Sequence, residues 1–228
     1  MDQRRPHSDR QYEAELSALH AEVRQMGVLV AEQISNAVIA LVDRDDDTAR
    51  AVIENDKTIN RMDVTIDEMC LRLLALHQPT AHDLRLITTA LKITTDLERV
   101  GDMAEHICQR TLELRNEAAL EPPAEIPRMA EIALEMLRDS LDAFVREDEQ
   151  LALAVCRRDD EMDALMDKSF HDLVARMTEA PSCIGRAIRL TFVAKSLERV
   201  ADHATNVAEM VVFMAKGTTI RHSHKILP

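Results

Sequence analysis

Two short stretches of this chain carry residue types at spacings that could do chemistry. Leu97 Glu98 Arg99 Val100 Gly101 Asp102 Met103 Ala104 returns as Leu197 Glu198 Arg199 Val200 Ala201 Asp202 His203 Ala204. A duplicated core would repeat only the apolar positions, yet Glu98, Arg99 and Asp102 recur as Glu198, Arg199 and Asp202. On a helix, residues four apart share a face with Cβ atoms roughly 5–6 Å apart, so each copy presents a carboxylate pair. Like charges at that spacing repel by about a few tenths of a kcal/mol. A divalent cation, the adjacent arginine or water can relieve the repulsion.

The elements that position these pairs follow from composition and periodicity. The 228 residues are 46% apolar and 30% charged, with four Gly, seven Pro, one Tyr, four Phe and no Trp. That profile belongs to long helices, and it predicts an all-α fold. A net charge of −13 disfavours nucleic acid, which needs a basic stripe, and permits cations and basic partner surfaces. Cys70, Cys108, Cys156 and Cys183 fall inside apolar helical patterns with no Cys-x-x-Cys spacing, as core residues of a reduced compartment do. Met1 to Arg10 lacks the apolar centre of a signal peptide, and no run approaches the roughly 20 apolar residues of a membrane span. A cytoplasmic chain that meets a membrane only through partners is expected.

Apolar residues three or four apart predict helices over Tyr12–Val42, from Val52 to about His77, and from Thr80 to about Asn116. Pro79 separates the second from the third, and Thr80 followed by Asp83 marks a helix start. Glu121 Pro122 Pro123 is the strongest break. Beyond it, helices are predicted over about Glu125–Val145, Gln150–Met177 and Ser182–Lys216. An offset of 103 residues aligns Met26 with Met129, Glu32 with Glu135, Val42 with Val145 and Asp56 with Asp159. At the charged signatures the offset is 100, so the second half is three residues shorter near its middle hairpin. Short turns force antiparallel neighbours. The expected architecture is two tandem pseudo-symmetric three-helix bundles of six long helices, divided as 1–120 and 121–228.

Antiparallel helices rise equally per residue, so a turn centred on Pro79 sets Asp56 level with Asp102 and Asn60 level with Glu98. A turn at Ala180 and Pro181 likewise sets Asp159 level with Asp202 and Asp163 level with Glu198. Four oxygen-bearing side chains at one level would suit a divalent cation. The second site, with Asp159, Asp163, Glu198 and Asp202, is expected to be the stronger, since Asn60 leaves the first one charge short. Oxygen ligands alone favour magnesium, calcium or manganese, and an imidazole from His203 or His106 would admit iron, zinc or nickel. The first copy offers Glu105, His106 and Gln109 beyond the signature where the second continues with Asn206 and Glu209. The bland alternative is a solvated face paired with Arg99 or Arg199, each exposed pair contributing about 0–1 kcal/mol.

These residues, together with Gln78 Pro79, Asp83 Leu84 Arg85, Leu91 Lys92 Ile93 and the Lys216 Gly217 and Arg221 His222 ending, resemble the PhoU family over about Gln11–His222. The resemblance implies a regulatory accessory protein of bacterial phosphate uptake. It implies coupling of a phosphate ABC transporter, through its ATPase, to a sensor histidine kinase that controls phosphate-starvation genes. It further implies a negative regulator without enzymatic activity, working as a homodimer. The family's acidic motif falls on Glu98 with Asp102 and on Glu198 with Asp202, and is associated with metal clusters in some members.

Other stretches carry less. Asp43–Asp47 lacks the alternating ligands and central glycine of a calcium loop and reads as a solvated turn. The twelve methionines sit mostly at core spacing. Arg85 reads as an unpaired surface arginine. No glycine-rich phosphate loop, nucleophilic triad or paired-histidine zinc motif is present. Two alternatives stay open, an accessory regulator of a low-affinity phosphate permease and a metal-dependent helical hydrolase activating water at the carboxylates.

Overall fold

Long runs of helix formers with an apolar stripe become α1 (Pro6–Asp43), α2 (Asp46–His77), α3 (Ala81–Leu114), α4 (Glu125–Arg146), α5 (Glu149–Arg157), α6 (Asp159–Glu179) and α7 (Ile184–Lys216) in a computed structural model of the chain. The structure describes residues 6–115 and 117–220, with side chains from Arg10 onward. Asn116, Arg221 and His222 lie outside the described residues. No strand occurs among those described, and the fold is all-α.

The repeat is written in the caps. Asp45 accepts from the Asp47 and Thr48 amides to start α2, and Asp148 accepts from the Gln150 and Leu151 amides to start α5. Before each cap stands a left-handed residue, Arg44 with φ 55° and Glu147 with φ 53°. Behind it, the Asp45 and Asp148 amides each donate back to an alanine carbonyl, that of Ala40 or Ala143, at 2.9 Å. Each such cap is worth about 1 kcal/mol.

The expected fifth helix is in two pieces. At Arg158 the backbone tightens to three-residue hydrogen bonds, the Arg158 amide reaching Val155 and the Glu161 amide reaching Arg158. The Arg158 side chain is meanwhile held by Glu135 and Asp139 of α4. Asn55 occupies the equivalent place in α2, which runs unbroken. Before α7, Pro181–Cys183 form a single 3₁₀ turn.

In the first half α1 runs antiparallel to α2, with His77 at the end of α2 against Glu15 near the start of α1. The Tyr12 hydroxyl donates to Asp83 at the start of α3, so α1 and α3 are parallel. The most extensive packing joins the halves, between α3 and α7. Along it Arg85 meets Met214, Asp96 meets His203 and Glu113 meets Arg189. The two helices are therefore antiparallel, with Val100 and Val200, both fully buried, near the midpoint of the contact. That register brings the two acidic signatures to one level.

One continuous hydrophobic cluster draws on both halves, from Leu19 and Met26 through Leu97 and Phe144 to Leu197 and Met214. α1 corrects the expectation that no stretch approaches a membrane span. Within Arg10–Asp43 it is long and apolar enough to cross a membrane by length and composition, and 56% of its most apolar 18-residue window is buried inside the protein. The four cysteines are free. Burial pushes the Cys70 and Cys108 thiols up to about 12, so both behave as core residues. Arg85 is not an unpaired surface arginine, since its Nε donates to the Met214 carbonyl at 3.0 Å and closes the end of α7.

Candidate metal centre

Gly101 lets α2 and α3 approach closely. A Cβ there would lie 3.2 Å from Ile59 Cδ1 and 3.3 Å from Asp56 Oδ1. Asp56 is consequently 7% exposed. Asp102 and Glu105 project from α3 toward it, and one oxygen from each of the three lies within 4.8 Å of the others. Among the described residues this is the one trio of acidic, histidine or cysteine ligands gathered so tightly. Asp56 Oδ1 is buried with no hydrogen-bond donor, while Oδ2 accepts from Asn60 Nδ2 at 2.8 Å. Asn60 is thus a donor that steadies Asp56, where the sequence reading had it as a ligand.

Glu98 lies a turn away from Asp102, among Asp102, Asp63 and Asp56. Arg99 bridges Glu98 at 3.4 Å and Asp102 at 3.2 Å from a half-exposed position. It relieves part of the repulsion, although a cation so exposed contributes only about 0–1 kcal/mol per pair. Burial, then the charges of Glu105 and Asp102, push the Asp56 carboxyl above its ordinary value. Burial followed by Asp102 does the same to Glu98.

The second half assembles Asp159, Asp163, Glu198 and Asp202 around one another without closing so tight a trio. Burial, followed by Asp202 and Asp163, pushes Asp159 up to about 6. Asp202 is raised by burial and by Glu198. Thr205 stands where the first half has Glu105, and its Oγ1 is buried without a partner. Lys195 forms an ion pair with Glu198, and Arg199 makes none with any described residue. The expected ranking is therefore reversed in the geometry, the first half holding the tighter set of oxygens.

Neither histidine joins a cluster. His203 Nδ1 faces Asp96 Oδ1 at 2.7 Å across the α3–α7 contact, and His106 is exposed to solvent. Asp63 carries no expectation from the sequence, and Glu105 is named there only beside His106. Glu105 follows Gly101 by four positions and so shares the face toward α2, whereas His106 is rotated one step away. The raised carboxylates Asp56, Asp63, Glu98, Asp159 and Asp202 all lie in these two clusters or at their margin. Elsewhere Glu15, Asp45, Glu113 and Glu125 are lowered by donors or cations. Unrelieved negative charge is thus concentrated at the level of the signatures, where oxygen ligands fit a hard divalent ion.

Comparison with known families decides the lineage. The family model described as the PhoU domain matches twice, over residues 23–111 and 126–211. The chain belongs to the PhoU family. It is 40% identical over 219 residues to a phosphate-specific transport system accessory protein PhoU homolog of Pseudomonas putida, covering 95% of this chain and 85% of that protein. Identity to the Escherichia coli K12 PhoU accessory protein is 36% over 216 residues, covering 95% and 90%. The crystal structure of PhoU from Pseudomonas aeruginosa matches with a TM-score of 0.86 and 40% identity, covering 91% of this chain and all of that one. That of the phosphate transport system regulatory protein PhoU from Streptococcus pneumoniae matches at 0.85 with 29% identity, covering 91% and 98%. PhoU proteins are regulatory accessory proteins and not enzymes.

Proposed function

We propose that this PhoU-family chain is an accessory protein of a phosphate-specific transport system, coupling the transporter ATPase to a sensor histidine kinase so that starvation genes stay off when phosphate is plentiful. Identity of 36–40% over 95% of the chain to proteins named for that system carries the reading. The acidic net charge gives an electrostatic reason for docking on basic partner surfaces. On this reading the protein works in the cytoplasm as a homodimer. The test is a starvation-gene reporter in a strain lacking the gene, beside pull-downs against the ATPase and the kinase. Expression in high phosphate is expected in the deletion strain, and unchanged reporter output would overturn the regulatory role.

We further propose that the clusters hold divalent cations, Asp56, Asp102 and Glu105 in the first half with Glu98 close by, and Asp159, Asp163, Glu198 and Asp202 in the second. The buried, donorless Oδ1 of Asp56 supports the first, because an ion bound there would replace the missing donor. All-oxygen ligation favours magnesium, calcium or manganese. Elemental analysis after manganese loading should show less metal in Asp56→Asn with Asp102→Asn, and a smaller metal-induced rise in Tm, since an ion that binds only the folded state stabilises it by mass action. Full metal content in that variant would refute the first-half site.

A further inference from the structure

The duplication supplies an internal control for a pocket outside the acidic clusters. In the second half, the Arg158 guanidinium lies in the groove between α4 and the α5–α6 junction and donates to Glu135 and, at 3.3 Å, to Asp139 Oδ2. The offset of 103 carries Glu135 to Glu32, Met136 to Gln33, Asp139 to Asn36 and Arg158 to Asn55. The offset holds here in three dimensions, since Val52 and Val155, and Ile59 and Met162, are buried alike. One of the two carboxylate acceptors thus persists as Glu32 and the other becomes the amide of Asn36, while the arginine that serves them is replaced by a shorter side chain.

What remains in that place is a cavity of about 200 Å³ between α1 and α2, floored by Leu29 and Val52 and lined by Glu32, Gln33, Asn36 and Asn55. Gln33 is 7% exposed and its Oε1 is buried with no protein donor. Met136, its counterpart, needs none. Glu32 forms no ion pair with any described residue, whereas its counterpart Glu135 holds Arg158. The first half has therefore gained an acceptor and lost a donor at one spot.

We propose that this α1–α2 pocket binds a guanidinium group. A planar guanidinium offers five N–H donors in a fixed fork, which matches one carboxylate beside amide oxygens that can turn inward. An ammonium ion is a point charge with three donors and matches less well. The site is separate from the carboxylates between α2 and α3, and it stands whether or not those bind metal.

The test is calorimetric titration of the full-length protein in EDTA with agmatine, with cadaverine as the ammonium control and acetyl-Gly-Arg-Gly-amide as the peptide-borne source. Agmatine is expected to bind saturably, and cadaverine at least about tenfold more weakly. Glu32→Gln, at an exposed position that leaves folding intact, should weaken agmatine at least about tenfold by removing the charge that makes the pair strong. Asn55→Arg sets a guanidinium of the chain's own beside Glu32, as Arg158 stands beside Glu135, and should abolish binding while raising Tm. Tripeptide binding comparable to agmatine would assign the pocket to an arginine of a partner protein, and agmatine binding alone would assign it to a free guanidino compound. Absence of saturable agmatine binding, or equal agmatine affinity in wild type, Glu32→Gln and Asn55→Arg, would overturn the proposal.

Discussion

The two halves share one scaffold and treat charge differently. In the first, close approach at Gly101 buries Asp56 and draws Asp102 and Glu105 onto it, and Arg99 bridges the outer carboxylates. In the second, Ala201 stands at the position of Gly101, Thr205 at that of Glu105, and Lys195 serves Glu198. The same division recurs between α1 and α2, where a pocket occupies the place that Arg158 fills in the other half. Packing positions were kept through the duplication because a core tolerates little change in volume. Polar positions diverged more freely, even at the part-buried Glu105 and Thr205 and the buried Gln33, and divergence there lets two like bundles do different things.

The largest effect is expected in the core that both halves share. Phe144 is fully buried and stacks on His20 of α1 with ring centroids 4.9 Å apart, whereas its counterpart is the aliphatic, buried Leu41. Phe144→Ala should lower stability by about 3–5 kcal/mol, and Phe144→Leu, which imports the first-half residue, by clearly less. Urea melts check both. Equal losses would mean that the stacking on His20, and not the filled volume, holds α1 to α4.

Next comes the pH response, which separates the halves through Asp159. Its carboxyl titrates near 6 in the fold against an ordinary 3.8. Between those values the native state binds more protons than the unfolded chain, so metal-free stability falls as pH rises from about 4 to 6 and then levels. Asp159→Asn should flatten that fall in Tm measured across pH in EDTA. With manganese present the trend should oppose it, because binding needs the ionised carboxylates and weakens as pH drops below 6. A pH profile unchanged by Asp159→Asn would place the strain elsewhere in the cluster.

A smaller effect tests the tie between halves. Arg85 of α3 closes the end of α7 at Met214, and Arg186 of α7 donates to the Ala118 carbonyl beyond the end of α3. Arg85→Ala should cost about 1–2 kcal/mol, the worth of a charged hydrogen bond at a helix C-terminus. Arg186→Ala, at the opposite end of the same helix pair, should cost a similar amount. Thermal melts of the two variants check the symmetry.

Much of this was legible in the sequence for a physical reason. Helices and duplication are local, so the apolar periodicity and the repeated charged signature are written in neighbouring residues, whereas the matching caps at Asp45 and Asp148 show only in the fold. The level of Asp56 with Asp102 followed from equal rise along an antiparallel pair. Which way a side chain faces did not, because rotation about the helix axis depends on where the next helix lies. That is why spacing does not separate Glu105 from His106, does not tell Asn60 as a donor from Asn60 as a ligand, and leaves the imidazole of His203 open as a ligand although it faces Asp96. The break at Arg158 was hidden for a similar reason, since α4 supplies the carboxylates that hold it.

The smallest and sharpest test is Gly101→Ala, which writes the second-half residue into the first. Alanine favours a helix over glycine by about 0.8–1.0 kcal/mol. Against this, its Cβ would press on Ile59 and Asp56 Oδ1 at 3.2–3.3 Å, where the second half has the flexible, buried Met162 at the position of stiff Ile59. The two contributions nearly cancel, so stability should change by less than about 1 kcal/mol. The carboxylate geometry has no such compensation. Displacing Asp56 by a few tenths of an ångström spreads the trio, and manganese affinity measured by titration should fall while the melt hardly moves. A stability loss with unchanged metal affinity would show that the glycine serves packing alone, and that the tighter carboxylate cluster of the first half follows from a close helix contact kept for other reasons.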